Sequence, residues 1–396
     1  MNIGFITTEY YGYTHVGGIA SALDSLVNEL TKLGHSIVVI TRSDENRAIV
    51  QRPNLTIYPI VSKGITVTLY FPWMVSRILP RIIRDHKLDI IETTLTRFPT
   101  LISAHTVREV PLVLRIYTSL STLLGGATLK KKLNRAVHYW GERDNLLQSN
   151  ALSIASQASF EKIMEHYKLN SNKITVPVEM IPIGIPFKKT QISKHEAKIQ
   201  LHKKIGVTSN DNPFIILYVG AMHFHKGVDL IIKAAEWFEQ NNSRVRFVLI
   251  GSGDIYQFTE SANLPTNCTF LGAVDDNQKD ICMRGADIIL IPSRWESFGI
   301  VSLEAMSREI PLIAGKTGGL KEIIQDKKTG WLVDHTKEDI IDKINIIMSM
   351  PPNELRAITD RALRHFKTNF DIKITAQQYL NFYEKVIKLH KQYESI

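Results

Sequence analysis

Residues 3–41 read IGFITTEYYGYTHVGGIASALDSLVNELTKLGHSIVVIT, and this stretch decides the fold. Its opening, IGFITT, is a short apolar and β-branched run of the kind that forms a buried strand. A loop ending at Gly17 and Gly18 follows. Ala20, Leu23, Val27 and Leu30 then recur at helical spacing until Gly34 stops the helix, and residues 36–41 (SIVVIT) form a second β-branched run. Strand, helix and strand in this order make a βαβ unit, which requires a parallel sheet and a right-handed crossover.

The pattern restarts at residues 213–251, PFIILYVGAMHFHKGVDLIIKAAEWFEQNNSRVRFVLIG. A buried strand leads into a loop carrying Lys226 and Gly227. A helix with Leu230, Ile231, Ala234, Ala235 and Phe238 on its apolar face follows, then a strand at 246–251. Further strand-like runs lie at 89–94, 112–117, 151–156 and 180–184, and again at 287–293, 311–315 and 330–333. Between the two series, residues 188–211 are polar and charged. The expectation is an α/β chain of two Rossmann-like, doubly wound parallel-sheet domains facing a cleft, residues 1–190 and 191–370. In such sheets ligands bind beyond the carboxyl ends of the strands.

A length of 396 residues suits two cores, and 44% apolar with 22% charged residues argues against disorder. No apolar run reaches the length of a membrane span. The start MNIGFITTEY lacks a basic n-region and already carries Glu9, so no signal peptide is expected and the cytoplasm is the expected compartment. Cys268 and Cys282 show neither disulfide-framework nor metal-ligand spacing. The net charge of +9 is concentrated: residues 63–143 hold 13 Lys and Arg against 5 Asp and Glu, which points to an anionic partner for that segment.

The densest polar pattern is PSRWESFGIVSLEAM, residues 292–306. A strand ends at Ile291 and Pro292, and a helix starts near 298–300. The amides of Phe298, Gly299, Ile300 and Val301 form its N-terminus, which attracts a phosphate. Glu296 and Glu304 flank that seat and suit sugar hydroxyls. Read in isolation, Glu296 is equally a helix-start acid and Glu304 a solvated helix residue.

The run resembles the Glu-x7-Glu signature of retaining glycosyltransferase family 4, commonly E-x-F-G-x4-E, with Glu296, Phe298, Gly299 and Glu304 at the matching positions. Gly318, Gly319 and Glu322 are similar to the family's GG-x-x-E segment, and Thr329, Gly330, Leu332 and Val333 to its TG-x-L-V strand. The resemblance extends back through 181–185 (IPIGI) to 17–20 (GGIA). It implies the GT-B fold, with residues 371–396 forming a helix that returns to the amino-terminal domain. It implies transfer of a hexose-type sugar from a nucleotide-diphosphate sugar to a saccharide acceptor, with retention and without a metal or other cofactor. By position, Glu304 is assigned to the donor ribose, Glu296 to the transferred sugar, and Lys226 to the diphosphate. Lys226 as a fixed cation stabilises charge on the leaving group. Gly17 and Gly18 let their loop approach the donor; the alternative is a plain helix-entry turn.

Two positions depart from the family. An arginine expected five residues before the lysine is Ala221, with Arg294, His223 or His225 as candidate substitutes. A histidine expected after the 112–116 strand is Tyr117, which can hydrogen-bond a sugar but is no general base near neutral pH. In a retaining front-face reaction the leaving phosphate takes the acceptor proton, so that loss is tolerable. These departures keep open a catalytically silent nucleotide-sugar-binding module. Gly251 and Gly253 do not complete a dinucleotide fingerprint, because Tyr256 occupies the third glycine position. Basic residues are not interleaved with aromatics, which disfavours nucleic acid.

Residues 70–87, YFPWMVSRILPRIIRDHK, place Arg77, Arg81 and Arg84 on one helical face, with Pro80 expected to interrupt the helix. Lys130, Lys131, Lys132 and Arg135 add a second basic cluster. With Trp73 these suit an anionic membrane surface and a lipid-linked acceptor, as in polysaccharide or lipopolysaccharide assembly; a solvated packing helix accounts for them equally.

Overall fold

The computed structural model describes the chain except residues 15–16, 65, 121–128, 170–172, 188–191, 208–210, 243, 260–262 and 395–396. It divides into two compact units, Met1–Pro186 with Phe370–Ile396, and Phe187–Asn369.

In the first unit, strands β1 (Asn2–Thr7), β2 (Ser36–Ser43), β3 (Val50–Arg52), β4 (Leu55–Val61), β5 (Ile90–Thr94), β6 (Leu112–Ile116), β7 (Ala151–Ile154) and β8 (Val178–Met180) form one sheet. Its order is β3-β4-β2-β1-β5-β6-β7-β8. All neighbours are parallel except β3 and β4. The β4 strand carries no clear sequence signal because Pro59 sits inside it. Pro59 pairs with Thr41 of β2 beyond the end of β3, so its missing N–H leaves no ladder bond unmade. The run expected as a strand at 180–184 is β8 only up to Met180. Beyond it, Ile185 exchanges backbone hydrogen bonds with Phe370 and Ile372, each 3.0 Å.

Those bonds dock the carboxyl-terminal helix Ile372–Glu394 on the first unit. Ile372, Ala376, Tyr379, Leu380, Tyr383 and Val386 join a core with β1, β2 and the helix Gly18–Lys32. Gly184 is required for the approach: a Cβ there would lie 2.4 Å from Thr375 Oγ1. Pro72 and Pro80 both lie within one helix, Thr66–His86, so the expected interruption does not occur. Phe71, Val75, Leu79, Ile82 and Ile83 pack that helix on the sheet, and tertiary burial overrides the two prolines.

In the second unit, β9 (Phe214–Val219), β10 (Val245–Ile250), β11 (Cys268–Phe270), β12 (Ile288–Ile291), β13 (Leu312–Gly315) and β14 (Trp331–Val333) form a sheet ordered β11-β10-β9-β12-β13-β14. Every pairing is parallel. Part of the polar stretch expected as a boundary is instead the helix Lys194–Lys204. It opens with a capping box of Ser193 and Glu196 and packs so closely that a Cβ on Gly285 would lie 2.8 Å from the Ala197 carbonyl oxygen. Both units are therefore Rossmann-like, and each sheet has a switch point where the chain reverses its direction of growth. In the first that point lies between β1 and β5, in the second between β9 and β12.

Candidate active site

The second unit's switch point gathers the polar residues expected from sequence. The loop after β9 carries His223, His225 and Lys226, and the loop after β12 carries Ser293, Arg294 and Glu296. Gly227 brings the two loops together. It has φ +75°, and a Cβ there would lie 2.2 Å from the Pro292 carbonyl oxygen. The Arg294 N–H donates to the His225 carbonyl at 2.8 Å, closing the junction.

Across it, Lys226 Nζ lies 2.6 Å from Glu296 Oε2, which also accepts from Ser293 Oγ at 3.3 Å. Both side chains are largely covered yet reach solvent, at 25% and 19% exposed. Glu296 is fixed from below as well: its carbonyl accepts from the Gly319 N–H at 3.0 Å. Gly318 and Gly319 lie directly against this loop. A Cβ on Gly318 would meet the Glu296 carbonyl oxygen at 2.0 Å, and one on Gly319 the Phe298 Cα at 2.6 Å. The glycine pair therefore holds the carboxylate loop in place.

Gly299, at φ +104°, caps the short helix Ile300–Met306. First-turn amides such as those of Ile300 and Val301 have no carbonyl one turn behind them and are open to an oxyanion. Phe298 contributes packing, its side chain buried. Glu304, on the same helix, lies 2.6 Å from Lys279 Nζ, a lysine on the helix Asp276–Gly285.

Five expected residues stand elsewhere or act otherwise. Arg294 does not replace the missing cation at Ala221: its guanidinium is bound by both oxygens of Asp229, at 2.6 and 2.7 Å, and lies 3.9 Å over the Phe224 ring. His225 is a weak substitute, because burial, Lys226 and the neighbouring His223 hold its imidazole below the ordinary range. Tyr117 lies in the first unit and is not presented to a substrate. It is buried, and its hydroxyl accepts from Arg115 Nη1 at 2.7 Å. Arg115 in turn pairs with the buried Glu92 at 2.5 Å. Burial pushes the Tyr117 phenol up from its usual range. Also in the first unit, Gly17 is an exposed helix N-cap with extended backbone, and Gly18 is the first helical residue. Among the described residues, a Cβ on Gly17 would meet only Glu9 Oε2, at 4.0 Å.

Sequence reasoning passed over Asp229 and Lys279. Asp229 could be read as a first-turn acid three residues after Lys226. Lys279 has no local signal, because it meets Glu304 only through tertiary packing.

The chain matches the sequence model described as Glycosyltransferase Family 4 over residues 16–184 and that described as Glycosyl transferases group 1 over residues 201–365. The chain belongs to glycosyltransferase family 4. It is 27% identical over 363 residues to an uncharacterized glycosyltransferase of Methanocaldococcus jannaschii, covering 88% of this chain and 89% of that one. It is 25% identical over 335 residues to the N-acetyl-alpha-D-glucosaminyl L-malate synthase of Bacillus anthracis, covering 81% and 82%. In fold, this glycosyltransferase is similar to sucrose-phosphate synthase from Thermosynechococcus elongatus, with TM-score 0.79 and 18% identity over 98% of this chain and 100% of the other. Its architecture is GT-B.

Proposed function

We propose that this glycosyltransferase moves a hexose-type sugar, with retention, from a nucleotide-diphosphate sugar to a saccharide acceptor. The observation that carries this reading is the Lys226 and Glu296 pair at the second unit's switch point, 2.6 Å apart beside the helix start at Gly299. The diphosphate lies against Lys226 and the amides near Gly299. Glu296 accepts from hydroxyls of the transferred sugar, and Glu304, steadied by Lys279, accepts from the ribose. The bond from the anomeric carbon to the β-phosphate oxygen breaks as the acceptor oxygen bonds the same face. The acceptor proton passes to the leaving phosphate, so the pathway needs no protein base. Charge growing on the diphosphate is stabilised by a fixed cation and fixed dipoles. We propose that these suffice without a metal ion.

The acceptor is proposed to be lipid-linked and met at the cytoplasmic membrane surface, in polysaccharide or lipopolysaccharide assembly. The first unit supports this with two exposed amphipathic faces. The helix Thr66–His86 exposes Leu69, Tyr70 and Trp73 with Arg77, Arg81 and Arg84. The helix Leu129–Gln148 exposes Leu133, Val137 and Trp140, one helical stripe, with Lys131, Lys132 and Arg135. The side chain of Lys130 lies outside the described residues. No helix among the described residues is long and apolar enough to cross a membrane.

A melting screen against UDP, GDP and ADP identifies the donor base, since a ligand at a hundred times its Kd stabilises the fold by about 2.7 kcal/mol. With that donor, Lys226→Ala, Glu296→Ala and Glu304→Ala each reduce turnover by roughly 10²-fold or more while circular dichroism stays unchanged. Turnover persists after EDTA and dialysis. Near-normal turnover in the Lys226 and Glu304 variants, or an absolute need for Mg²⁺ or Mn²⁺, rejects the reading.

A further inference from the structure

The first unit has its own switch point, between β1 and β5, and its loops carry a different constellation. Glu9 follows β1, Arg42 lies near the end of β2, and Arg97 follows β5. Arg97 and Phe98 are consecutive non-glycine residues in left-handed backbone, at φ +64° and +38°. Such a conformation is costly and persists where surrounding structure imposes it, commonly at sites of function.

Arg97 is half-buried, yet among the described residues it forms no hydrogen bond or ion pair. Five other covered arginines are committed. Arg42 holds Asp44, Arg115 holds Glu92, Arg284 and Arg308 hold Asp280, and Arg294 holds Asp229. Burial, with Arg42 as a like charge, pulls the Arg97 guanidinium below its ordinary range, and Glu9 and Glu142 offset this only in part. Glu142 cannot close on it freely, because its oxygens accept from the Leu120 N–H, Ser119 Oγ and the Tyr167 hydroxyl at 2.9, 2.9 and 2.5 Å.

Glu142 and His138 act electrostatically on Arg97. The helix Leu129–Gln148 turns His138, Glu142 and Asn145 inward along one face, all buried. His138 Nδ1 and both polar atoms of the Asn145 amide lack any partner. The His138 ring packs on Phe98, with centroids 5.4 Å apart, so this polar face adjoins the strained segment. A half-buried cation with no bonded carboxylate, close to a buried imidazole nitrogen without a partner, is unfavourable. It becomes favourable when a ligand brings the missing charge.

We propose that Arg97 receives a phosphate group carried by the acceptor. This rests on the transferase reading for the word acceptor only; binding of the anion itself does not depend on it. The shared chemistry has two sources, a soluble sugar phosphate or the phosphate of a lipid-linked saccharide.

The test uses the full chain carrying Lys226→Met, so that phosphate probes do not read the second unit. Glucose 6-phosphate and a short-chain phosphatidic acid below its micelle concentration are titrated by calorimetry, with glucose as the neutral control. At least one phosphate probe binds and glucose does not; which one binds tells the soluble source from the lipid source. Arg97→Asn, whose side chain tolerates left-handed backbone, weakens that binding by about tenfold to a hundredfold. Its ligand-free melting temperature is unchanged or higher, because an unpaired charge has gone. Arg97→Lys keeps the charge without the fork and binds at an intermediate level. Binding of neither probe, equal binding by Arg97→Asn, or a marked fall in ligand-free melting temperature for both variants overturns the proposal. Nucleoside diphosphate binding, measured with Lys226 restored, is retained in the Arg97 variants; its absence in every form of the protein counts against the transferase reading, not against this site.

Discussion

At the scale of single residues, the loops of the second unit are shaped by glycines that touch backbone. Gly318 (φ +47°) would place a Cβ 2.0 Å from the Glu296 carbonyl oxygen, whereas Gly272 (φ +70°) has open space around it. Alanine at either position carries the left-handed penalty of about 1–2 kcal/mol. Only at Gly318 is there a collision as well, and the loop that must move bears Glu296. Gly318→Ala therefore destabilises by about 2–3 kcal/mol or more and reduces turnover, while Gly272→Ala costs about 1–2 kcal/mol. Thermal melts of the two variants side by side decide this. Equal shifts would mean that the glycine pair is not what seats the carboxylate loop.

At the scale of elements, the carboxyl-terminal helix is tied to the first sheet by a buried charge cluster. The Tyr383 hydroxyl donates to Glu92 Oε2 at 2.5 Å, Arg115 pairs with the other carboxylate oxygen at 2.5 Å, and the Arg115 guanidinium lies 4.0 Å over the Tyr379 ring. Burial pushes the Glu92 carboxyl up from its usual range, and Arg115 and Tyr383 oppose that push. A carboxyl raised in the folded state binds more protons there than in the unfolded chain, so its contribution is most favourable at low pH and weakens as pH rises through the folded value. Tyr383→Phe removes a donor to the ionised form and drives Glu92 further up. It costs about 1–3 kcal/mol, and the loss is larger at pH 8 than at pH 5. Urea melts of both proteins at the two pH values test the sign; a difference that shrinks towards pH 8 would contradict it.

At the scale of the whole molecule, the basic excess is a property of the first unit, and the exposed faces around Trp73 and Trp140 give it an apolar partner. Each basic residue near an anionic leaflet contributes about 1 kcal/mol, falling with salt, and interfacial tryptophans add to it. The full chain is expected to sediment with vesicles containing anionic lipid at low salt and to be released by high salt. Replacing Trp73 and Trp140 by Ser weakens this without altering turnover on a soluble acceptor analogue. Retention in the supernatant at low salt would refute membrane docking and leave a soluble acceptor as the better reading.

The sequence alone determined what local physics determines. Apolar periodicity placed the β1 and β9 openings, and the spacing from Glu296 to Glu304 with Gly299 between them marked the loop-to-helix seat, because both signals lie within a short stretch of chain. It could not show β4, whose Pro59 is harmless only because of where β3 ends, nor the unbroken helix through Pro72 and Pro80, which long-range packing sustains. Tertiary structure likewise decided which charges meet. Asp229 removed Arg294 from the role its position suggested, Lys279 came to Glu304 from a separate helix, and Tyr117 went into the buried cluster that Arg115 forms with Glu92 and Tyr379. Each outcome depends on partners distant in sequence, and Coulomb and hydrogen-bond energies depend on the distances in space that only the fold sets.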